Sequence, residues 1–244
     1  MNVPSSCPIE ALYLELGFIP LRYIIKSRRV NYLHHLTTRK ETEMISKFFY
    51  TQWKYPSKKN EWTTKVREDL QDLQIDDNLE KMKCLSKYSF KNLVRKKIEE
   101  EAFIDLLKRK EKHKKMENVQ YTTFEMQNYL KQHQITPKQA RTIFKFRTRM
   151  ENFSENFKAG KPTKQCPVCK ESKDTQSHSF KCTVILKNIR IPSNIEEIFS
   201  QTISSDMARA LENIIKFREP YLETNNNNLQ SQREAQYAQD SGAA

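Results

Sequence analysis

The sequence predicts a mainly α-helical chain: an irregular multi-helix domain, then a small cysteine–histidine knuckle, then short C-terminal helices. Three observations carry this. Glycine occurs only at Gly17, Gly160 and Gly242, while Lys, Glu, Leu and Ile abound, and that balance favours helix. Apolar residues recur at three- and four-residue spacing in most segments, not in alternation. One compact segment, Cys166-x2-Cys169-x8-His178-x3-Cys182, carries thiols and an imidazole at metal-ligand spacing.

A first helix is expected from Pro8 to Leu16. Pro8 suits its first turn, and Gly17 suits the left-handed position past its end. Pro20 then starts a longer helix to Leu36. Its apolar stripe reads Leu21, Ile24, Ile25, Tyr32 and Leu36, with Arg28 and His35 inside the stripe as satisfied core polar groups. Beside it, Arg22, Lys26 and Arg29 share one face. A third helix fits Glu41 to Trp53, with Met44, Ile45, Phe48 and Phe49 inward. It breaks at Tyr55-Pro56, because the residue before a proline resists helix. Asn60 caps the next helix, where Trp62, Val66, Leu70 and Leu73 form a core stripe.

Ser86 or Ser89 caps a long charged helix to Lys115, with Phe90, Leu93, Val94 and Ile98 inward, then Phe103, Leu106 and Leu107. Its basic end, Lys108 to Lys115, reads equally as a phosphate contact, a nuclear-import signal or a solvated helix end. Thr136-Pro137-Lys138-Gln139 is a capping box opening a helix to Met150. Ala140, Ile143 and Phe144 face one way there; Arg141, Lys145 and Arg149 face the other. Ser193-Asn194-Ile195-Glu196 opens a short helix, and Ser204 or Ser205 opens another that Pro220 ends. The organisation expected is a helical domain at 1–150, a linker at 151–165, the knuckle at 166–182, a short helical segment at 183–220 and a disordered tail at 221–244.

Lys and Arg number 43 against 30 Asp and Glu, a formal charge of +13 that attracts polyanions, nucleic acid first. Three glycines exclude the Gly-rich phosphate cradles of nucleotide-binding folds. Five cysteines with a C-x2-C pair point to a reducing compartment and a metal, not a disulfide framework. No apolar run approaches a membrane span, and the N-terminus lacks a secretory pattern, so the expected location is intracellular, with no membrane partner; the compartment expected within the cell is the nucleus.

Cys166, Cys169, His178 and Cys182 are expected to bind one structural zinc ion as a CCHC knuckle. Two sulfurs sit on one tight turn, and the His178–Cys182 pair shares a helical face that Asp174 caps. Four protein ligands leave no position for a catalytic water. Lys164, Lys170, Lys173 and Lys181 surround the ligands, and Phe180 lies between two of them. That combination suits phosphate contact with base stacking; the other reading is a staple with Phe180 packed inward. With Arg22, Lys26, Arg29, Arg141, Lys145 and Arg149, these residues make up the nucleic-acid-binding set.

Several blocks in order resemble a known family. They are Ala11 to Gly17, Ile19 to Ile25 and Arg28 to His34; Trp62 with Val66 to Leu70; Glu125 to Gln127 with Tyr129-Leu130; Phe144 to Met150; and Cys166 to Cys169 with Asp174-Thr175-Gln176 and His178. Together they resemble the region after the polymerase thumb in non-LTR (LINE-type, jockey-like) retrotransposon reverse transcriptases, over Pro8 to Arg218. The resemblance implies the C-terminal portion of such a polyprotein, a region that helps hold template RNA and target DNA. The paired-aspartate motif of the polymerase palm is missing, since Asp76-Asp77 lacks its preceding context, and no endonuclease motif is visible. The expected function is therefore a nucleic-acid-binding module for single-stranded RNA or DNA without catalytic residues of its own. The alternative is a zinc-stabilised helical interaction or assembly module that docks on a partner such as the polymerase core of the same element.

Overall fold

A computed structural model gives the fold of residues 7–55, 62–156, 164–193, 195–200 and 202–241, beyond 224 by backbone alone. Among these residues the chain is mainly helical, with no strand and one isolated antiparallel bridge, Gln165 to Lys173. The helices are α1 (Ile9–Leu16), α2 (Leu21–Thr37), α3 (Met44–Lys54), α4 (Trp62–Asp72), α5 (Leu79–Lys83), α6 (Lys87–Lys110), α7 (Asn128–Lys131), α8 (Pro137–Arg147), α9 (Gln176–Ser179), α10 (Thr183–Asn188) and α11 (Ser205–Ser241). Short 3-10 turns lie at Lys114–Met116, Ser154–Asn156 and Ile195–Phe199.

The helices fall into two compact units that cut across the expected organisation. One is Gly17–Arg109; the other combines Met1–Leu16 with Lys110–Ala244. The expected linker does not separate a knuckle from a helical domain. Glu151, Phe153 and Asn156 within it are buried, because the segment packs into the second unit's core; 157–163 lie outside the described residues. The tail also differs, since α11 runs through Pro220 to Ser241. A proline removes a single helical donor, and Lys216, whose carbonyl is freed, is exposed, so water can satisfy it.

In the Gly17–Arg109 unit, α2 and α6 run antiparallel. Arg22 meets Asp105, Lys26 meets Glu101 at 2.8 Å, and the His34 ring stacks on Phe90 at 4.4 Å. The buried side of α2 is Tyr23, Val30, Leu33, His34, Leu36 and Thr37. Most of the expected stripe faces outward: Leu21, Ile24, Ile25 and Tyr32 are exposed, and so are Arg28 and His35. The reason is electrostatic as well as apolar. Arg29 makes two hydrogen bonds to buried Asp69 (2.6 and 2.9 Å), and Lys26 reaches both Asp72 and Glu101 at 2.8 Å. The face that carries these cations is therefore the one α4 and α6 cover.

In α3 only Ser46 and Phe49 are buried, while Met44, Ile45 and Phe48 are exposed, so that expected stripe is corrected too. The core stripe of α4 holds at Val66, Leu70 and Leu73; its expected cap, Asn60, lies outside the described residues. In α6 the buried positions are Phe90, Val94, Ile98, Ala102 and Leu106 at four-residue steps, and the Ser86 hydroxyl accepts from the Ser89 N–H. The helix ends at Lys110, so the basic run beyond it is not a continuous helix end.

The second unit is organised by a buried charge. Glu15 of α1 and Arg147 of α8 are both fully buried and pair at 2.8 Å. The Glu15 carboxylate also accepts from the Tyr121 hydroxyl (2.7 Å) and the Tyr129 hydroxyl (2.9 Å). Burial, and then the Glu15 charge, hold both phenols well above the ordinary tyrosine value, so both remain donors. Arg147 spends Nη1 on the carbonyls of Ile198 and Ser200 (2.7 and 2.5 Å). One guanidinium thus ties α1, α8 and the 195–200 turn together. The Thr136 capping box of α8 forms as its sequence predicts.

Replacing Arg147 by Met leaves Glu15 as an uncompensated buried charge and should cost about 3–5 kcal/mol. Denaturant unfolding of the full chain measures this. The double variant Glu15→Leu/Arg147→Met should lose clearly less than the sum of the single variants, because the two groups are coupled.

Candidate metal centre

The knuckle is assembled by a short two-stranded loop followed by a helical turn. Around the Gln165–Lys173 bridge, the Cys166 N–H donates to the Ser172 carbonyl (2.7 Å) and the Asp174 N–H to the Lys164 carbonyl (2.8 Å). The chain reverses at Lys170, which sits in the left-handed region with φ 60° and donates its N–H to the Cys166 carbonyl at 2.9 Å. The turn directs backbone N–H groups at the sulfurs: Val168 and Cys169 at the Cys166 thiol, Glu171 and Ser172 at the Cys169 thiol. These donors favour thiolate, the form that ligates metals.

The other half of the site is α9 with the residues after it. Its cap is Thr175, not Asp174: the Thr175 hydroxyl accepts from the His178 N–H at 3.0 Å. The Cys182 N–H donates to the His178 carbonyl at 2.8 Å, one helical turn that puts both side chains on the same side. The ligand atoms of Cys166, Cys169, His178 and Cys182 all lie within 4.8 Å of one another, and His178 Nε2 is 3.3 Å from Cys169 Sγ. Cys166 and Cys182 are fully buried; Cys169 and His178 are partly exposed. Burial pushes the Cys166 thiol up to about 11. For Cys169, burial also pushes upward, but the Glu171 and Ser172 N–H groups, His178 and Cys166 outweigh it and bring the thiol down to about 7. The four residues form a group that could hold a metal ion.

Asp174 is freed for another task. Its carboxylate accepts from the Ser154 N–H (2.9 Å) and hydroxyl (3.0 Å), and it pairs with Arg218 of α11 at 2.8 Å, both residues being buried. Arg218 also lies over the Phe153 ring, 4.2 Å from its centre. Phe180 is turned inward, with its ring centre 5.9 Å from that of Phe146 and only 5% of its surface exposed. The stacking role expected for Phe180 is therefore corrected to packing. Cys166, Cys182 and Phe180 belong to one apolar cluster with Phe146, Phe153, Ile185 and Leu211, so the knuckle is part of the unit's core.

Lys164, Lys170, Lys173 and Lys181 are exposed around the knuckle. Arg22, Lys26 and Arg29 each have a carboxylate partner, so they do not form the free basic face expected of them. Arg141 is exposed, and Lys145 lies 3.8 Å from Glu151. Arg149 falls past the end of α8 at φ 49°, 3.9 Å from Glu117, so it does not continue the row begun by Arg141 and Lys145. Glu15, Asp174 and Arg218 were not singled out as ion-pair members by sequence reasoning. A charged residue within an apolar stripe, as Glu15 is between Leu14 and Leu16, is the signal available for one of them.

No protein-family model, curated protein or solved structure matches the chain. Because Phe180 packs inward, Phe180→Ala should act on stability, costing about 3–5 kcal/mol in denaturant unfolding. If the variant unfolds like the parent, the ring is not part of the core.

Proposed function

We propose that Cys166, Cys169, His178 and Cys182 hold one structural zinc ion. We further propose that the chain is a nucleic-acid-binding module of the kind found in the C-terminal portion of LINE-type reverse transcriptases. In this reading it binds single-stranded RNA or DNA, has no catalytic residues of its own and works in the nucleus. The observation that carries it is a cluster of three sulfurs and one imidazole nitrogen, with four exposed lysines in the loops that bear the ligands.

The donor set supports zinc. Zinc–sulfur bonds of ~2.3 Å and zinc–nitrogen bonds of ~2.0–2.1 Å give a tetrahedron whose edges are about 3.5–3.8 Å. The 3.3 Å between Cys169 Sγ and His178 Nε2 is close to such an edge, and the four ligand atoms, all within 4.8 Å of one another, need to draw together by about 1 Å at most to complete it. Thiolate ligands favour zinc over the hard cations magnesium and calcium. Four protein ligands close the shell, so the ion's contribution is to hold the fold. His178 offers Nε2, and the backbone N–H groups aimed at Cys166 and Cys169 support the charge on their sulfurs.

Lys164, Lys170, Lys173 and Lys181 have no carboxylate partner among the described residues, so their charge is available to phosphates. Lys26 and Arg29 are bound to carboxylates of their own unit and fall outside the binding surface in this reading. The order of the blocks that resemble the retrotransposon enzymes supports the same assignment.

Purified protein should contain one zinc per chain by metal analysis, and Cys169→Ser should lose it. Chelation should abolish the cooperative unfolding of the Lys110–Ala244 part while leaving the helical circular dichroism of 17–109, because the sulfurs sit in one core and not in the other. Filter binding to single-stranded RNA across a salt series tests the nucleic-acid reading. Replacing the four lysines together by Gln should weaken binding and reduce the salt slope by about 2–3, at ~0.7 per lost phosphate contact. An unchanged slope removes the knuckle loops from the binding surface.

A further inference from the structure

The Gly17–Arg109 unit leaves an apolar face uncovered. The α2 stripe that its sequence marks for a core is exposed, and beside it a groove of about 640 Å³ runs between α2 and α6. Ile24 and Ile98 contribute to its apolar lining. Its remaining charged walls are cationic: Arg28 on α2, and Lys87, Lys91 and Arg95 at four-residue steps on α6. Among the described residues, no Asp or Glu lines it.

That charge pattern follows from how the unit uses its carboxylates. Asp69, Asp72, Glu101 and Asp105 are taken by Arg29, Lys26 and Arg22. Arg28, Lys87 and Lys91 have no carboxylate partner among the described residues, and Arg95 has only Glu99, at 3.9 Å along its own exposed helix face. An occupant must therefore bring apolar side chains to the floor and negative charge to both rims.

We propose that this groove docks an acidic amphipathic helix of a partner protein. Lys87 to Ile98 spans about 16 Å of helix axis, three turns, which matches a helical segment presenting apolar anchors at i, i+3 or i+4, and i+7. Glu or Asp residues flanking those anchors meet Arg28 on one wall and Lys87, Lys91 and Arg95 on the other. A single nucleic-acid strand fits the rim charge but not the floor. Bases need rings to stack on, and the three rings in the lining are engaged: Tyr32 edge-to-face with Trp62 at 5.7 Å, His34 stacked on Phe90 at 4.4 Å, and His35 beside Tyr32 with its Nε2 accepting from Arg39 at 3.1 Å. The proposal goes beyond the zinc and nucleic-acid reading and does not depend on it, since every residue it uses lies in the other unit.

The test is fluorescence anisotropy of the full chain with three labelled probes. One is an acidic amphipathic peptide of about four helical turns, with Leu anchors flanked by Glu. The second has the same composition scrambled, and the third is a single-stranded oligonucleotide. The amphipathic peptide should bind at least about tenfold more tightly than its scramble. Arg28→Glu/Lys91→Glu should weaken it by about tenfold or more, and so should Ile24→Gln. Lys164→Glu/Lys170→Glu, in the other unit, should leave it unchanged. All substituted positions are exposed or at the groove surface, and an unchanged circular dichroism spectrum checks that each variant folds. Equal binding of the scramble overturns the proposal in favour of charge alone. Oligonucleotide binding lost in the Arg28/Lys91 variant, without peptide binding, assigns the groove to nucleic acid instead. No peptide binding by the parent also overturns it.

Discussion

A buried arginine holds the second unit together. Arg147 has no exposure, and it lies between a carboxylate from the first helix and carbonyls from the 195–200 turn. A guanidinium cannot shed its charge, so burying it calls for acceptors; Nε and Nη1 have them, while the buried Nη2 has no hydrogen-bond partner among the described residues. Glu15 supplies the counter-charge, and the Tyr121 and Tyr129 hydroxyls donate to its Oε1 and Oε2. Residues more than 100 positions apart are thereby committed to one arrangement. The N-terminal helix belongs to this unit although the Gly17–Arg109 unit intervenes in sequence.

The second buried pair, Asp174 with Arg218, does for the knuckle what Arg147 does for α1. It ties the loop between the two ligand pairs to α11 and to Ser154, and Phe180 adds an apolar contact to Phe146. A metal held by the four ligands would therefore be coupled to a core, not to an isolated finger. Two of its sulfurs are themselves core atoms. The knuckle's outward contribution is then reduced to the lysines in its loops, because its aromatic ring is consumed by packing.

The Gly17–Arg109 unit shows the opposite use of charge. Its acids pair with cations on the covered face of α2, and this allocation, together with the burial of Tyr23, Val30, Leu33 and Leu36, sets which way that helix turns. Buried Asp69 holds Arg29, and Lys26 is bridged between α4 and α6. The consequence is a groove with apolar and basic residues together and, among the described residues, no acidic one in its lining. That is a property of the tertiary arrangement, since the same residues on a helical wheel read as core.

What could be read from the residues alone were the features determined within a few positions. The helical class, the Gly17 stop at φ 63°, the Thr136 capping box and the Cys166–Cys182 ligand set all rest on local spacing and backbone chemistry. The outward turn of Ile24 and Tyr32, the inward turn of Phe180 and the end of α8 before Arg149 were not legible. Each depends on which neighbour arrives from elsewhere in the chain. An amphipathic helix with cations beside its apolar stripe has two candidate inner faces, and the carboxylates and apolar side chains that arrive from α4 and α6 choose between them. In the same way, the spacing of Cys166, Cys169, His178 and Cys182 determined a turn that could hold a metal ion, while the Asp174–Arg218 and Glu15–Arg147 pairs decided that the turn is built into a core. Buried charges select their partners across long sequence distances, and periodicity carries no record of that selection.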